Sequence, residues 1–186
     1  VYVYTASLKW RNLFRSSLVH NILIVNFEEQ NRFSKDSLWW GMHEDTKCKC
    51  LRWESSPNVD VFEGEHYGYV RLKPTLICRR IIEFHKRERE LRIKDSLIKV
   101  KPTDRGDYRV LWNFTLHPEC ELEKVNGRAI TIRNGDVRVN FNVDKGLWKV
   151  EEGYYAPEYG AILKTKVLRI EEDNAQNKTF TVTLKH

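Results

Sequence analysis

His20 carries an imidazole, which can ligate a metal or move a proton near neutral pH. It stands in an apolar run, Val19-His20-Asn21-Ile22-Leu23-Ile24-Val25. Residue type alone leaves two readings open, a packing or boundary histidine and a ligand. One imidazole cannot hold zinc, which takes about three or four ligands. Arg11 and Arg15 are four apart, the spacing that puts two side chains on one helical face. There they could meet an acidic sugar or a carboxylate of another domain, or form structural ion pairs. Trp39 and Trp40, with Tyr154, Tyr155 and Tyr159, offer ring faces for stacking, although aromatics in β proteins fill cores first. Cys48 and Cys50 lie two apart, on one face of a strand, where packing is the expected role. A zinc site there would need further clustered ligands, and His43 is the only candidate nearby. His66, His85 and His117 show no spacing that forms a site, and no phosphate loop or nucleophile elbow is present.

These residues must be positioned by β structure. The chain has 186 residues, 41% hydrophobic, 31% charged and 12% aromatic, which suits a globular domain with a proper core and excludes a disordered tail. No apolar run approaches the ~18 residues of a membrane-spanning helix. The net charge of +6 is interleaved with Asp and Glu along the chain, so it builds no nucleic-acid arm and implies only a mild preference for acidic partners. Even the dense stretch from Arg79 to Arg89 alternates in sign, as a solvated strand face and hairpin end would. The opening Val-Tyr-Val-Tyr reads as mid-strand, with Tyr2 and Tyr4 alternating, and residues 1–186 are expected to be a single sandwich domain truncated at its N-terminal side.

Strand signals recur between Gly, Asn, Asp and Pro breaks. The strongest is Asp107 to His117, where Tyr108, Val110, Trp112, Phe114 and Leu116 fall at period two, so Trp112 and Phe114 should be buried together. Further strands are expected in Val19–Val25, Thr46–Trp53, Tyr67–Leu72, Thr75–His85, Leu91–Lys94, Ala129–Ile132, Val137–Phe141, Leu147–Val150, Ala161–Ile170 and Thr179–Leu184. Asn126-Gly127 and Asn134-Gly135 are hairpin signals. Ser7–Ser16 is the one candidate for a short helix. The fold class that follows is all-β, an antiparallel β sandwich.

The stretch Trp10-Arg11-Asn12-Leu13-Phe14-Arg15-Ser16-Ser17-Leu18-Val19-His20-Asn21-Ile22-Leu23-Ile24-Val25 resembles the W-R-N-x-F-R-S-T-x-x-H-N-T-h-x-V segment of heparinase II/III-like proteins. Glu29-Gln30-Asn31 resembles the turn that follows it. Glu63-Gly64-Glu65-His66-Tyr67-Gly68-Tyr69, Arg79-Arg80-Ile81-Ile82-Glu83-Phe84, Phe114-Thr115-Leu116-His117-Pro118 and the run from Glu151 to Gly160 resemble later landmarks, in the family's order.

The resemblance implies a β sandwich that follows an N-terminal α/α toroid, in bacterial enzymes that cleave uronic-acid-containing acidic polysaccharide, heparin/heparan sulfate- or alginate-like, by β-elimination. It implies that His20 is a metal ligand, that zinc is held only with upstream residues, and that this chain alone is inactive. Tyr4 stands near where some members place a catalytic Tyr, and Arg11 and Arg15 could face the acidic sugar. A periplasmic or secreted location follows from such substrates. The alternative is a non-catalytic structural or carbohydrate-binding sandwich module in exopolysaccharide metabolism.

Overall fold

The computed structural model describes residues 2–35 and 41–185; Trp39 and Trp40 lie outside the described residues. Among the described residues a single α-helix, α1 (Leu8–Arg15), starts at Ser7, whose side chain accepts from the Trp10 amide, and stops at Ser16. A 3-10 turn at Ser17–Val19 follows, and then twelve strands among the described residues. These are β1 (Leu23–Val25), β2 (Lys49–Ser55), β3 (Val59–His66), β4 (Leu76–His85), β5 (Glu90–Lys99), β6 (Arg109–Thr115), β7 (Glu121–Asn126), β8 (Ala129–Asn134), β9 (Val137–Val143), β10 (Lys149–Tyr155), β11 (Leu163–Asp173) and β12 (Asn177–Lys185).

They form two antiparallel sheets, a four-stranded one ordered β1-β6-β11-β10 and an eight-stranded one ordered β2-β3-β4-β5-β12-β9-β8-β7. The expected antiparallel sandwich is therefore what the chain forms. Its core lies between the sheets. Phe114 sits at the centre, 4.9 Å from the Phe180 ring, 5.0 Å from Phe141 and 6.0 Å from Trp148, each edge-on. Trp112 and Phe114 are buried together as their spacing demands, at 0% and 6% exposure. The other face of β6 is buried too, through Leu111 and Asn113.

Both Asn-Gly pairs mark two-residue hairpins, with a shifted register. Asn126 pairs with Ala129 and Asn134 with Val137, so Gly127 and Gly135 are the first central residues of their turns. Each has positive φ while the residue after it does not, the requirement of a II′-type turn.

Three expectations are corrected. Tyr2 and Tyr4 belong to an irregular segment, not a strand. The run 19–25 pairs as a strand only from Leu23, since the 3-10 turn takes Val19 and residues 20–22 bend. Tyr67–Leu72 is a turn: the Val70 and Leu72 amides donate back to the Tyr67 and Tyr69 carbonyls. Tyr69 is buried there and donates its hydroxyl to the Leu23 carbonyl at 3.3 Å. Gly68 lies so close to the Gln30 backbone that a Cβ would sit 2.5 Å from its carbonyl oxygen. Gly68→Ala should therefore destabilise the fold by about 1–3 kcal/mol, the usual cost of forced overpacking, read as a lower denaturation midpoint.

Candidate functional site

Residues 16–31 make a compact structure around His20. The Glu29 carboxylate accepts from the Ser16 hydroxyl at 2.7 Å and the Ser17 amide at 2.6 Å, holding the start of the 3-10 turn. The Ser17 hydroxyl accepts from the Gln30 amide at 3.0 Å, and the Gln30 side chain donates to the Leu23 carbonyl at 3.2 Å. Asn31 accepts the amides of Asp45 and Thr46 through its side-chain oxygen, each at 2.9 Å. The Glu29-Gln30-Asn31 triplet is thus a set of backbone clamps.

His20 caps the 3-10 turn and is exposed. It lines an open hollow of about 360 Å³ with Phe14, Val19, Asn21, Thr115, Tyr154 and others. The Asn21 side-chain oxygen accepts the Thr115 amide at 2.7 Å, continuing the bonding of β6 outward. Beside this hollow is an aromatic group: Trp10 meets Tyr154 edge-on at 5.0 Å, and Tyr4 stacks on Tyr159 at 5.4 Å. Tyr4 is 48% exposed and Tyr159 61%. Tyr154 and Tyr155 are therefore brought to His20, and Tyr4 to Tyr159.

Arg11 and Arg15 share α1 but not an environment. Arg11 is buried at 2% exposure. Arg15 lies 3.9 Å over the Phe33 ring and donates to the Ser34 carbonyl at 2.5 Å, which ties α1 to the following loop. Among the described residues no group of three or more His, Cys, Asp or Glu could hold a metal ion. The residues lining the hollow beside His20 include no second imidazole, thiolate or carboxylate, so the chain by itself does not fit a zinc site.

Cys48 and Cys50 do not pack in the core. Both are exposed at β2, an edge strand accessible along its whole length. Buried Cys78 has its thiol pushed up by burial and stays protonated at neutral pH.

Arg80, a residue sequence reasoning had treated as part of a solvated face, reaches the His20 segment. Its guanidinium grips Asp95 with two bonds, 2.6 and 2.7 Å, and donates a third at 2.6 Å to the Asn21 carbonyl. Asp95 is fully buried. Both belong to the large sheet, on register partners of β4 and β5. Neighbouring His66 accepts from the Gly68 amide at 3.3 Å and is held near pKa 4, below the ordinary 6.5, by burial and then by the charge of Arg80. The unfolded chain takes up a proton at this position as the pH drops below about 6.5, while the folded chain resists until about 4. Stability should thus fall from pH 6.5 toward 4 through this group and be insensitive to it above that window. His66→Gln should flatten the slope, read as urea midpoint against pH; an unchanged slope would show that His66 titrates normally.

The heparinase II/III-like C-terminal family matches residues 1–183. The chain belongs to that family. Among curated proteins none matches it. Among solved structures, it is similar to the heparan sulfate lyase HepC of Pedobacter heparinus, at 17% identity with a TM-score of 0.75, covering 99% of this chain and 27% of that one. A heparinase III gene product is similar at 14% identity, with TM-score 0.75 and the same coverage. The chain thus spans about a quarter of the length of these solved structures. Among the stretches that resemble the family's, Tyr69 bonds to the Leu23 carbonyl and Arg80 to the Asn21 carbonyl.

Proposed function

We propose that this chain is the sandwich part of a polysaccharide lyase that cleaves uronic-acid-containing acidic polysaccharide, heparin/heparan sulfate- or alginate-like, by β-elimination. The family match over residues 1–183 carries the reading. In that reaction the uronate carboxylate is neutralised, a base removes the proton alpha to it, and an acid protonates the leaving glycosidic oxygen. An upstream α/α toroid supplies the rest of the cleft. This chain supplies one wall, with exposed Tyr4 as the candidate proton donor and α1, which carries Arg11 and Arg15, behind it. His20 supplies one zinc ligand, the others coming from residues outside these 186. With those other ligands in place, zinc held by His20 would supply Lewis-acid chemistry or organise the cleft. Such a protein works in the periplasm or outside the cell.

In the whole protein, His20→Ala should strip bound zinc, since losing one of about three protein ligands weakens the metal strongly. Elemental analysis decides it, and equal zinc in both forms would return His20 to a structural role. The 186-residue chain alone should form no unsaturated uronate from any of these polysaccharides, followed by ultraviolet absorbance; product from the purified chain would overturn the division of labour.

A second reading, a carbohydrate-binding module without elimination chemistry, is favoured by one observation. Trp53 is 76% exposed beside Phe62, Ile82 and Phe84 in an open groove of about 670 Å³. Sugar binding without elimination by the whole protein would favour it.

A further inference from the structure

We propose that β2 is a self-association edge, on which a second copy of this chain pairs antiparallel about a two-fold axis at Trp53. The inference goes beyond the lyase reading and does not depend on it. β2 ends the eight-stranded sheet with β3 on one side, and among the described residues no strand pairs with its other side. Every residue of the strand is exposed. Edge strands are commonly guarded against pairing by prolines, inward charges or cover. β2 contains no proline, and a bulge between Cys50 and Arg52 leaves Arg52 to Ser55 regular. In that regular part the side chains on the inner face, Trp53 and Ser55, carry no charge.

The residues around Trp53 select the partner. Trp53 pairs with Phe62 and Phe62 with Ile82, so the indole belongs to the face with the open groove. Arg52 and Glu54 share the opposite face and bond to each other at 2.6 Å. An antiparallel copy centred on Trp53 sets Arg52 opposite Glu54 of the second copy and Glu54 opposite its Arg52, with the two tryptophans facing across the axis. Directly opposed side chains are the ones that interact across a sheet, so this register gains two opposite-charge pairs and one aromatic pair. Shifting the copy by one residue puts inner side chains against outer ones. Shifting it by two sets Arg52 or Glu54 against its own counterpart. The triplet Arg52-Trp53-Glu54 is therefore complementary to itself in this register, which is the isologous contact of a two-fold dimer. Trp53 is 76% exposed beside the groove walled by Phe62, Ile82 and Phe84, and in the dimer the two indoles meet over that apolar ground.

Sedimentation velocity of the whole protein over about 1–100 μM tests this, since a contact of such small size associates in the micromolar range. The parent should be dimeric at the top of the range and monomeric at the bottom. Arg52→Glu alone, or Glu54→Arg alone, turns both facing pairs into like charges and should weaken association about tenfold or more. Mixed in equal amounts the two single variants should associate again, because one presents two glutamates and the other two arginines. The double variant, Arg52→Glu with Glu54→Arg, keeps the complementarity and should dimerise like the parent. The two side chains are 47% and 60% exposed, so urea midpoints near the parent's are expected throughout and separate loss of the contact from loss of the fold.

A parent that stays monomeric over the whole range overturns the proposal, including the case in which an upstream part of the same protein covers β2. A dimer indifferent to both single changes uses another face and overturns it equally. So does a mixture of the two single variants that fails to associate.

Discussion

Asp95→Ala should cost about 3–5 kcal/mol of folding stability, the range for removing one partner of a buried pair and leaving the other charged group uncompensated. Asp95 is wholly buried and receives two bonds from Arg80, whose side chain is only 22% exposed. On Asp95's other flank, β12 places Lys178 in register; that side chain is also fully buried and is spoken for by Glu172 and the Lys145 carbonyl. β12 carries no Asp or Glu, so that strand offers Arg80 no replacement carboxylate. Replacing both members, Arg80→Met with Asp95→Leu, should recover much of the loss, because apolar residues of similar volume remove the stranded charge. Urea unfolding of the three forms measures this. A single variant as stable as the parent would mean that water reaches Arg80 freely.

Phe114→Ala should cost a comparable amount, about 3–5 kcal/mol, by leaving a cavity where four aromatic side chains meet. Phe141, Phe180 and Trp148 all touch its ring, and they come from β9, β12 and the approach to β10, so collapse into the space would require several strands to move. The effect should also reach the candidate site, since Thr115, the next residue, carries the amide that holds Asn21. Thermal or denaturant unfolding checks the first part. A loss below about 1 kcal/mol would place Phe114 at a repackable boundary rather than at the centre of the core.

Much of this was legible in the sequence because it is written at short range. The period-two run through Trp112 and Phe114, the serine before α1 and the two Asn-Gly turns each depend on neighbours within a few residues. Tyr67–Leu72 was misleading because aromatic alternation looks the same in a strand and in a turn whose tyrosine points inward. What decides it is Tyr69 reaching Leu23, 46 positions away. The Arg80–Asp95 fork was hidden for a similar reason: a register of β4 against β5 is needed before the two can be seen as partners. Read along the chain, Arg79 and Arg80 are equivalent charges. In the fold Arg79 pairs with Glu65 on the outer face, and Arg80 turns inward.

The candidate site was legible only in part. His20 and Asn21 stand out as polar residues in an apolar run, and the structure puts them at an exposed hollow beside Tyr154 and Tyr155. The clamping roles of Glu29, Gln30 and Asn31 could not be read from the string, because each acts on a backbone group of a different segment. Arg11 and Arg15 were correctly seen to lie one helical turn apart, yet burial separates them in a way that spacing does not encode.

The most direct test of the central claim is an elimination assay on the whole protein that carries this chain. With heparan sulfate, heparin and alginate as separate substrates, the account predicts that at least one yields unsaturated uronate, seen as rising ultraviolet absorbance, and that His20→Ala depresses that rate while the protein stays folded. Binding of these polysaccharides with no unsaturated product from any, or a rate untouched by His20→Ala, would contradict it.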